Sequence, residues 1–170
     1  GEQPAQRAAT APPILGGTLL VTRDGAYAVV SDPPRDSIHI VDLANWEEAA
    51  TIEPEEGALP FRGAEDTDGN VHVTVRGTGA VVTIAPASAS ITKTTSVCPN
   101  PRGIAYDEDA DALHVACAGG LFVTLPDSGA APKKRFIAPD LRDVLVSDGR
   151  VFVTRFRAAE VLEVEMQNEG

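Results

Sequence analysis

Only two of the 170 residues are cysteine and three are histidine. No Cys-x-x-Cys-His segment occurs, so the chain does not itself attach a c-type haem, and so few scattered thiols and imidazoles make no zinc signature. Positive charge is also scarce, with 14 Lys and Arg against 25 Asp and Glu and a formal net charge of -11. Nucleic acid and anionic membranes present phosphates that call for a basic face, so this balance argues against non-specific binding to either. No apolar run approaches the roughly 18 residues of a membrane-crossing helix, and no membrane insertion is expected. The N-terminus lacks a basic segment followed by an apolar stretch, so any export signal is expected to have been removed already. Helical periodicity is missing too, apart from one candidate turn at Ala44–Ala50.

What the sequence does have is one phrase written four times: a strand, a tight acidic turn, a strongly apolar strand, a second turn and another apolar strand. The copies read GTLLVTRDGAYAVVSDPPRDSIHIVDL, RGAEDTDGNVHVTVRGTGAVVTIAP, RGIAYDEDADALHVACAGGLFVTLP and RDVLVSDGRVFVTRFRAAEVLEVE. Aligning the second strands puts Val29, Val73, Val115 and Val153 at one position, spaced 44, 42 and 38 residues apart. That is the period of a four-stranded blade, and the expected fold is an all-β β-propeller or part of one. Blades are expected at about 16–57, 58–97, 98–138 and 139–170, behind a tether at 1–15 rich in Ala, Pro and polar residues.

Asp24-Gly25, Asp68-Gly69 and Asp148-Gly149 separate the first and second strands of three repeats, where tight hairpins need positive φ. The third repeat has the longer acidic turn Asp107–Asp111. Second strands apolar on both faces imply blades stacked between neighbours. Outer strands are expected at Glu48–Ile52, Ser90–Thr95 and Lys133–Ile137, weakly patterned because they are solvated. In the fourth repeat Val161–Glu165 is a third strand and no outer strand follows. Either the N-terminal segment supplies it and closes a four-bladed ring, or the chain is about half of a seven- or eight-bladed ring. The second is the expectation, and its naked blade faces must find a partner.

Cys98 precedes the innermost strand of the third repeat and Cys117 ends the antiparallel strand beside it, which places the sulfurs at adjoining strand ends. A disulfide is expected, with a pair of buried thiols as the alternative; the disulfide would place the protein outside a reducing cytoplasm. Arg62, Arg102 and Arg142 recur at intervals of 40, each at the start of an innermost strand, with Thr18 near the equivalent place in the first repeat. Together they are candidates for an axial site for an anion, a carboxylate or an acidic loop; the alternative is that each braces an adjacent blade. His72 and His114 share one position in successive blades and are read as structural, since strands of neighbouring blades lie too far apart for both to hold one ion. His39 lies further out, and no nucleophile with an acid partner is evident beside any histidine. The acids after Trp46 and the Asp32–Asp36 loop are candidate contact points only.

The phrases SDPPRDSIHIVDL and CPNPRGIAYDEDADALHVACAGG resemble YVTN-type, or lactonase-like, β-propeller repeats of exported bacterial proteins, in which a Pro-Arg-Gly phrase opens an inner strand. The resemblance covers roughly 16–165, and the placement of Cys98 and Cys117 is similar to disulfides of such repeats. It implies membership among binding scaffolds, haem-associated electron-transfer proteins and a minority of hydrolases or dehydrogenases, and some larger relatives carry a c-type cytochrome domain beside or within the propeller. The chain departs from the enzymes in having no haem motif, no evident calcium cage and no complete ring. The expectation is therefore a periplasmic or secreted binding or assembly scaffold. Its partner would be the remainder of the propeller or a second copy, with a cytochrome-type protein beside it and haem only in that partner or a missing domain. The alternative is a fragment of a propeller enzyme, a lactonase-like hydrolase or a periplasmic dehydrogenase subunit.

Overall fold

The computed structural model describes residues 17–166; the tether at 1–15 and the segment after Met166 lie outside the described residues. Fifteen strands form four antiparallel sheets, each a meander in chain order. Blade 1 comprises β1 (Leu19–Val21), β2 (Tyr27–Asp32), β3 (Ser37–Asp42) and β4 (Glu47–Ile52). Blade 2 comprises β5 (Pro60–Glu65), β6 (Val71–Val75), β7 (Ala80–Ala85) and β8 (Ser90–Ser96). Blade 3 comprises β9 (Pro101–Asp107), β10 (Ala112–Cys117), β11 (Leu121–Pro126) and β12 (Lys133–Phe136). Blade 4 has three described strands, β13 (Leu141–Ser147), β14 (Arg150–Arg155) and β15 (Glu160–Val164). The inner strands stand side by side, with β5 against β9 and β9 against β13.

Each hydrophobic cluster is the filling between two successive blades. Val29, Ile38 and Ile40 of blade 1 meet Val71, Val73 and Ile84 of blade 2. Val81 and Ala64 meet Val115 and Val123 of blade 3, and Ala116 and Phe122 meet Val144, Val151 and Val153 of blade 4. Because blades 2 and 3 are covered on both faces, every residue of β6 and β10 is buried. The second strand of blade 4 buries only alternate residues, Val151 and Val153. Val29, Val73, Val115 and Val153 are the buried centres of the four second strands.

The turns follow from side-chain chemistry. Asp24 Oδ1 accepts from Thr22 Oγ1 and the Ala26 N–H, Asp66 Oδ1 from the N–H groups of Asp68 and Asn70, and Asp107 Oδ1 from those of Asp109 and Ala110. These are Asx-type closures, in which a carboxylate takes over donors the turn would leave unpaired. The candidate turn at Ala44–Ala50 is shorter than expected. Asp42 folds the chain back by accepting from the N–H groups of Ala44 and Asn45, and β4 already begins at Glu47.

Candidate functional site

Every inner strand of blades 2 to 4 carries an irregularity near its start, and this decides where the arginines go. In the ladders Pro60 pairs with Val75, Pro101 with Cys117 and Leu141 with Arg155; further along, Gly63 pairs with Val73, Ile104 with Val115 and Val144 with Val153. Pro60, Pro101 and Leu141 are therefore equivalent. Arg102 and Arg142 fall at the position of Phe61, whereas Arg62 falls at that of Gly103 and Asp143. The equal intervals of 40 thus conceal an offset of one residue, and an offset of one residue changes the face of a strand. The structure does not bring the three arginines into one group.

Arg62 enters the space between the inner strands, a cavity of about 570 Å³ that Leu19, Leu145, Phe152 and Val161 make largely apolar. Its Nη2 lies 3.0 Å from Asp143 Oδ2 of blade 4. Blade 3 stands between these two blades, and its equivalent residue is Gly103, so no side chain blocks the bridge.

Arg102 and Arg142 instead border a smaller recess of about 220 Å³ with Phe61, Arg76, Asp140, Phe156 and Arg157. The Arg76 guanidinium stacks on the Phe61 ring at 4.4 Å, and that of Arg142 on Phe156 at 4.1 Å. These two pairs occupy the same two cross-strand positions with the residue types exchanged. Arg102 is held loosely, 3.7 Å from Asp140 Oδ1, while the other oxygen of Asp140 accepts from the Arg157 N–H at 2.8 Å. Arg76 Nε is buried without a hydrogen-bond partner among the described residues. Burial, and then the charge of Arg102, hold the Arg76 guanidinium below its usual pKa. Arg76 was not singled out in the sequence because it sits in a β6–β7 turn, outside the inner-strand phrase.

At the opposite ends of the inner strands a third cavity, about 370 Å³, is bordered by Glu65, Glu108, Asp109 and Asp148 with Arg23. Arg23 pairs with Glu108, and its N–H donates to Glu65 Oε2 at 2.7 Å. Burial raises the Glu65 carboxyl above its ordinary value. One mouth is thus cationic and the other anionic.

His72 and His114 do have acid partners, contrary to the sequence reading. His72 Nε2 lies 2.9 Å from Asp66 Oδ2 and its Nδ1 3.0 Å from Thr83 Oγ1. His114 repeats the arrangement with Asp107 at 3.4 Å and Thr124 at 3.1 Å. The signal is a shared spacing, six or seven residues from Asp to His and ten or eleven to Thr, inconspicuous because Asp107 opens an acidic turn and Asp66 stands just before the Asp68-Gly69 turn. A carboxylate on Nε2 fixes the proton there, leaving Nδ1 to accept from the threonine hydroxyl. Equivalent sites in the end blades hold Ala28 and Phe152, so the relay belongs to the two blades buried on both faces.

Burial pushes both imidazoles down from their usual value, against the opposing pull of the nearby carboxylates. Asp66 also feels burial, which raises its pKa, but hydrogen bonds from Asn70 and His72 outweigh it and leave the carboxyl lowered. A histidine with a depressed folded pKa binds its proton more readily in the unfolded chain. Its contribution to stability is therefore full above the unfolded value near 6.5 and is lost as pH falls below it. Melting temperature should drop between pH 7.5 and 6, and the His72→Gln/His114→Gln double variant should show a flatter slope over that interval. An unchanged slope would dissociate the relays from acid sensitivity.

The two sulfurs, Cys98 and Cys117, form a disulfide with Cα atoms 6.3 Å apart. It ties the connection between blades 2 and 3 to the end of β10.

No family model matches the sequence, and no curated protein matches it either. Solved structures do. A catalytically inactive virginiamycin B lyase from Staphylococcus aureus with quinupristin matches with a TM-score of 0.73 and 17% identity, over 89% of this chain and 55% of that one. Hydrazine synthase from Kuenenia stuttgartiensis matches with a TM-score of 0.69 and 16% identity, over 96% and 53%. Dihydro-heme d1 dehydrogenase NirN in complex with DHE matches with a TM-score of 0.66 and 19% identity, over 84% and 33%. The chain spans about half the length of the first two and a third of the last. At such identities the likeness establishes the fold alone, a β-propeller segment of four blades.

Proposed function

We propose that this chain is part of an exported β-propeller that acts as a binding or assembly scaffold, its end blades taking up the remainder of a seven- or eight-bladed ring. The observation that carries the reading is the face of blade 4, uncovered among the described residues. Leu145, Phe152, Thr154, Val161 and Glu163 share that face by cross-strand pairing, and Leu145 and Val161 are 52% and 67% exposed. Apolar side chains repeated along a blade face are what a next blade covers, as the filling between blades 1 to 4 illustrates. The remainder of the ring, or a second copy of this chain, is the partner. The disulfide supports a periplasmic or secreted location, and the YVTN-type resemblance points the same way.

A c-type cytochrome beside the ring is the proposed neighbour, supported by the fold shared with dihydro-heme d1 dehydrogenase. The described residues do not fit a haem in this chain: both sulfurs are joined to each other, and His72 and His114 are engaged by Asp and Thr on both nitrogens. The reading places any haem in the partner or in a missing domain.

A propeller enzyme fragment, hydrolase or dehydrogenase, is the second reading. The observation in its favour is the Thr83–His72–Asp66 relay beside a cavity of about 420 Å³. The twin relay at the fully buried His114 is the argument for bracing instead.

Native mass spectrometry and sedimentation test the scaffold reading and are expected to show species heavier than the 17.8 kDa chain. A lone monomer whose β14 and β15 amides exchange as slowly as those of β6 and β10 would overturn it, because the end face would then already be covered.

A further inference from the structure

We propose that the recess bounded by Arg76, Arg102 and Arg142 is a binding site for a compact oxyanion group carrying two or more negative charges. The inference deepens the scaffold reading and rests on it, by naming the chemistry that the mouth of the propeller receives.

Charge balance is the first argument. Four arginines, including Arg157, border the recess, and Asp140 is the one carboxylate among its lining residues. Asp140 Oδ2 accepts from the Arg157 N–H and its Oδ1 lies 3.7 Å from Arg102, so one carboxylate stands against four guanidiniums. Like charges brought together in a partly desolvated recess repel unless an anion intervenes.

Geometry is the second. Phe61 and Phe156 each carry a guanidinium carbon over the ring, Arg76 at 4.4 Å and Arg142 at 4.1 Å, so both side chains are restrained before any ligand arrives. A cation–π contact uses no N–H donor, and a planar fork of donors matches the paired oxygens of carboxylate or phosphate. Arg76 Nε, like Arg62 Nε, is buried without an acceptor among the described residues, so the donors Arg76 offers to a ligand are its terminal Nη groups. A volume of about 220 Å³ admits inorganic phosphate or a small dicarboxylate. The Arg62 bridge is excluded from this site, since its charge is already matched by Asp143.

Isothermal titration of the protein at constant ionic strength, with phosphate, malonate and acetate as separate probes, tests the proposal. One saturable event per chain is expected with phosphate or malonate, and binding of acetate should be weaker by about tenfold or more. Response to phosphate alone or malonate alone identifies which oxyanion geometry the recess prefers, and either supports the site. Arg102→Gln should weaken binding at least about tenfold. Arg76→Lys retains charge but loses the fork, and should weaken it as well. Arg35→Gln, which removes a cation from an exposed turn paired with Asp32, should leave binding unchanged. Circular dichroism of each variant separates lost binding from lost folding, and Arg76→Lys remains informative if Arg102→Gln does not fold. No saturable binding, or equal loss in the Arg35 variant, would overturn the proposal. Native mass measured in the same samples keeps its failure distinct from failure of the assembly reading.

Discussion

Replacing Gly103 with alanine should destabilise the protein by about 1–3 kcal/mol, and the damage should be confined to the junction of blades 3 and 4. A Cβ at this position would lie 2.6 Å from the Asp143 Cα and 2.8 Å from the Val144 backbone nitrogen. Both are backbone atoms of β13, so relief requires moving a strand and not a side chain. Two further features would be disturbed, because Asp143 receives the Arg62 bridge and Arg142 precedes it in the recess. For a domain of this size each kcal/mol lowers the melting temperature by roughly 2–4 °C. Hydrogen exchange should quicken in β13 and β14 and stay slow in β2 and β6. Gly119 provides the control, since no atom lies within 4 Å of its added Cβ and its φ is not positive. If Gly103→Ala and Gly119→Ala melt alike, close approach of the inner strands is not what holds blade 4.

Removal of the disulfide is the second change with a large expected effect. Cys98 and Cys117 are separated by 19 residues in sequence, and closing a loop of that order restricts the unfolded chain by roughly 2–4 kcal/mol. The folded state also loses an anchor. Beyond its bond to Cys117, Cys98 donates its N–H to the Gly79 carbonyl of blade 2, as does the Val97 N–H at 2.9 Å. The Cys98→Ser/Cys117→Ser variant should therefore melt about 4–16 °C below the parent, with exchange increased first in the blade 2–3 connection and β10. Non-reducing peptide mapping must first recover the two cysteines as one linked peptide. A variant that melts with the parent would mean that the inter-blade packing of Val97 and Val115 is sufficient without the covalent tie.

The fold was legible because a blade is a local object. Turn chemistry and apolar runs repeat within about 40 residues, and the alignment on Val29, Val73, Val115 and Val153 needs no knowledge of what packs against them. Outer strands such as Ser90–Ser96 were found despite weak patterning, since turns bounded them. The arginines were harder to place. The equivalent residues Pro60 and Pro101 are 41 apart, so Arg62 and Arg102, 40 apart in sequence, occupy positions one residue out of step. Only the ladder of Pro60 with Val75 and Pro101 with Cys117 reveals this. Arg76 and Phe156 were invisible for a related reason, as each gains meaning from a partner on another strand. The relays were hidden in the sequence because Asp66 and Asp107 close turns with one oxygen and hold histidines with the other, and only the folded chain brings each acid to its histidine.

The opposition of the two mouths bears on how a partner arrives. Guanidiniums gathered at the starts of the inner strands and carboxylates of Glu65, Glu108, Asp109 and Asp148 at their ends give the arc a dipole along its axis. A protein whose net charge is strongly negative repels anionic molecules on average, yet this asymmetry turns an approaching anion toward the cationic entrance during diffusion. The torque acts over about one Debye length, roughly 8 Å at physiological ionic strength, and fades as salt is raised. Orientation before contact therefore belongs to the rate of encounter, and the strength of the final complex is set separately by the fit at the entrance.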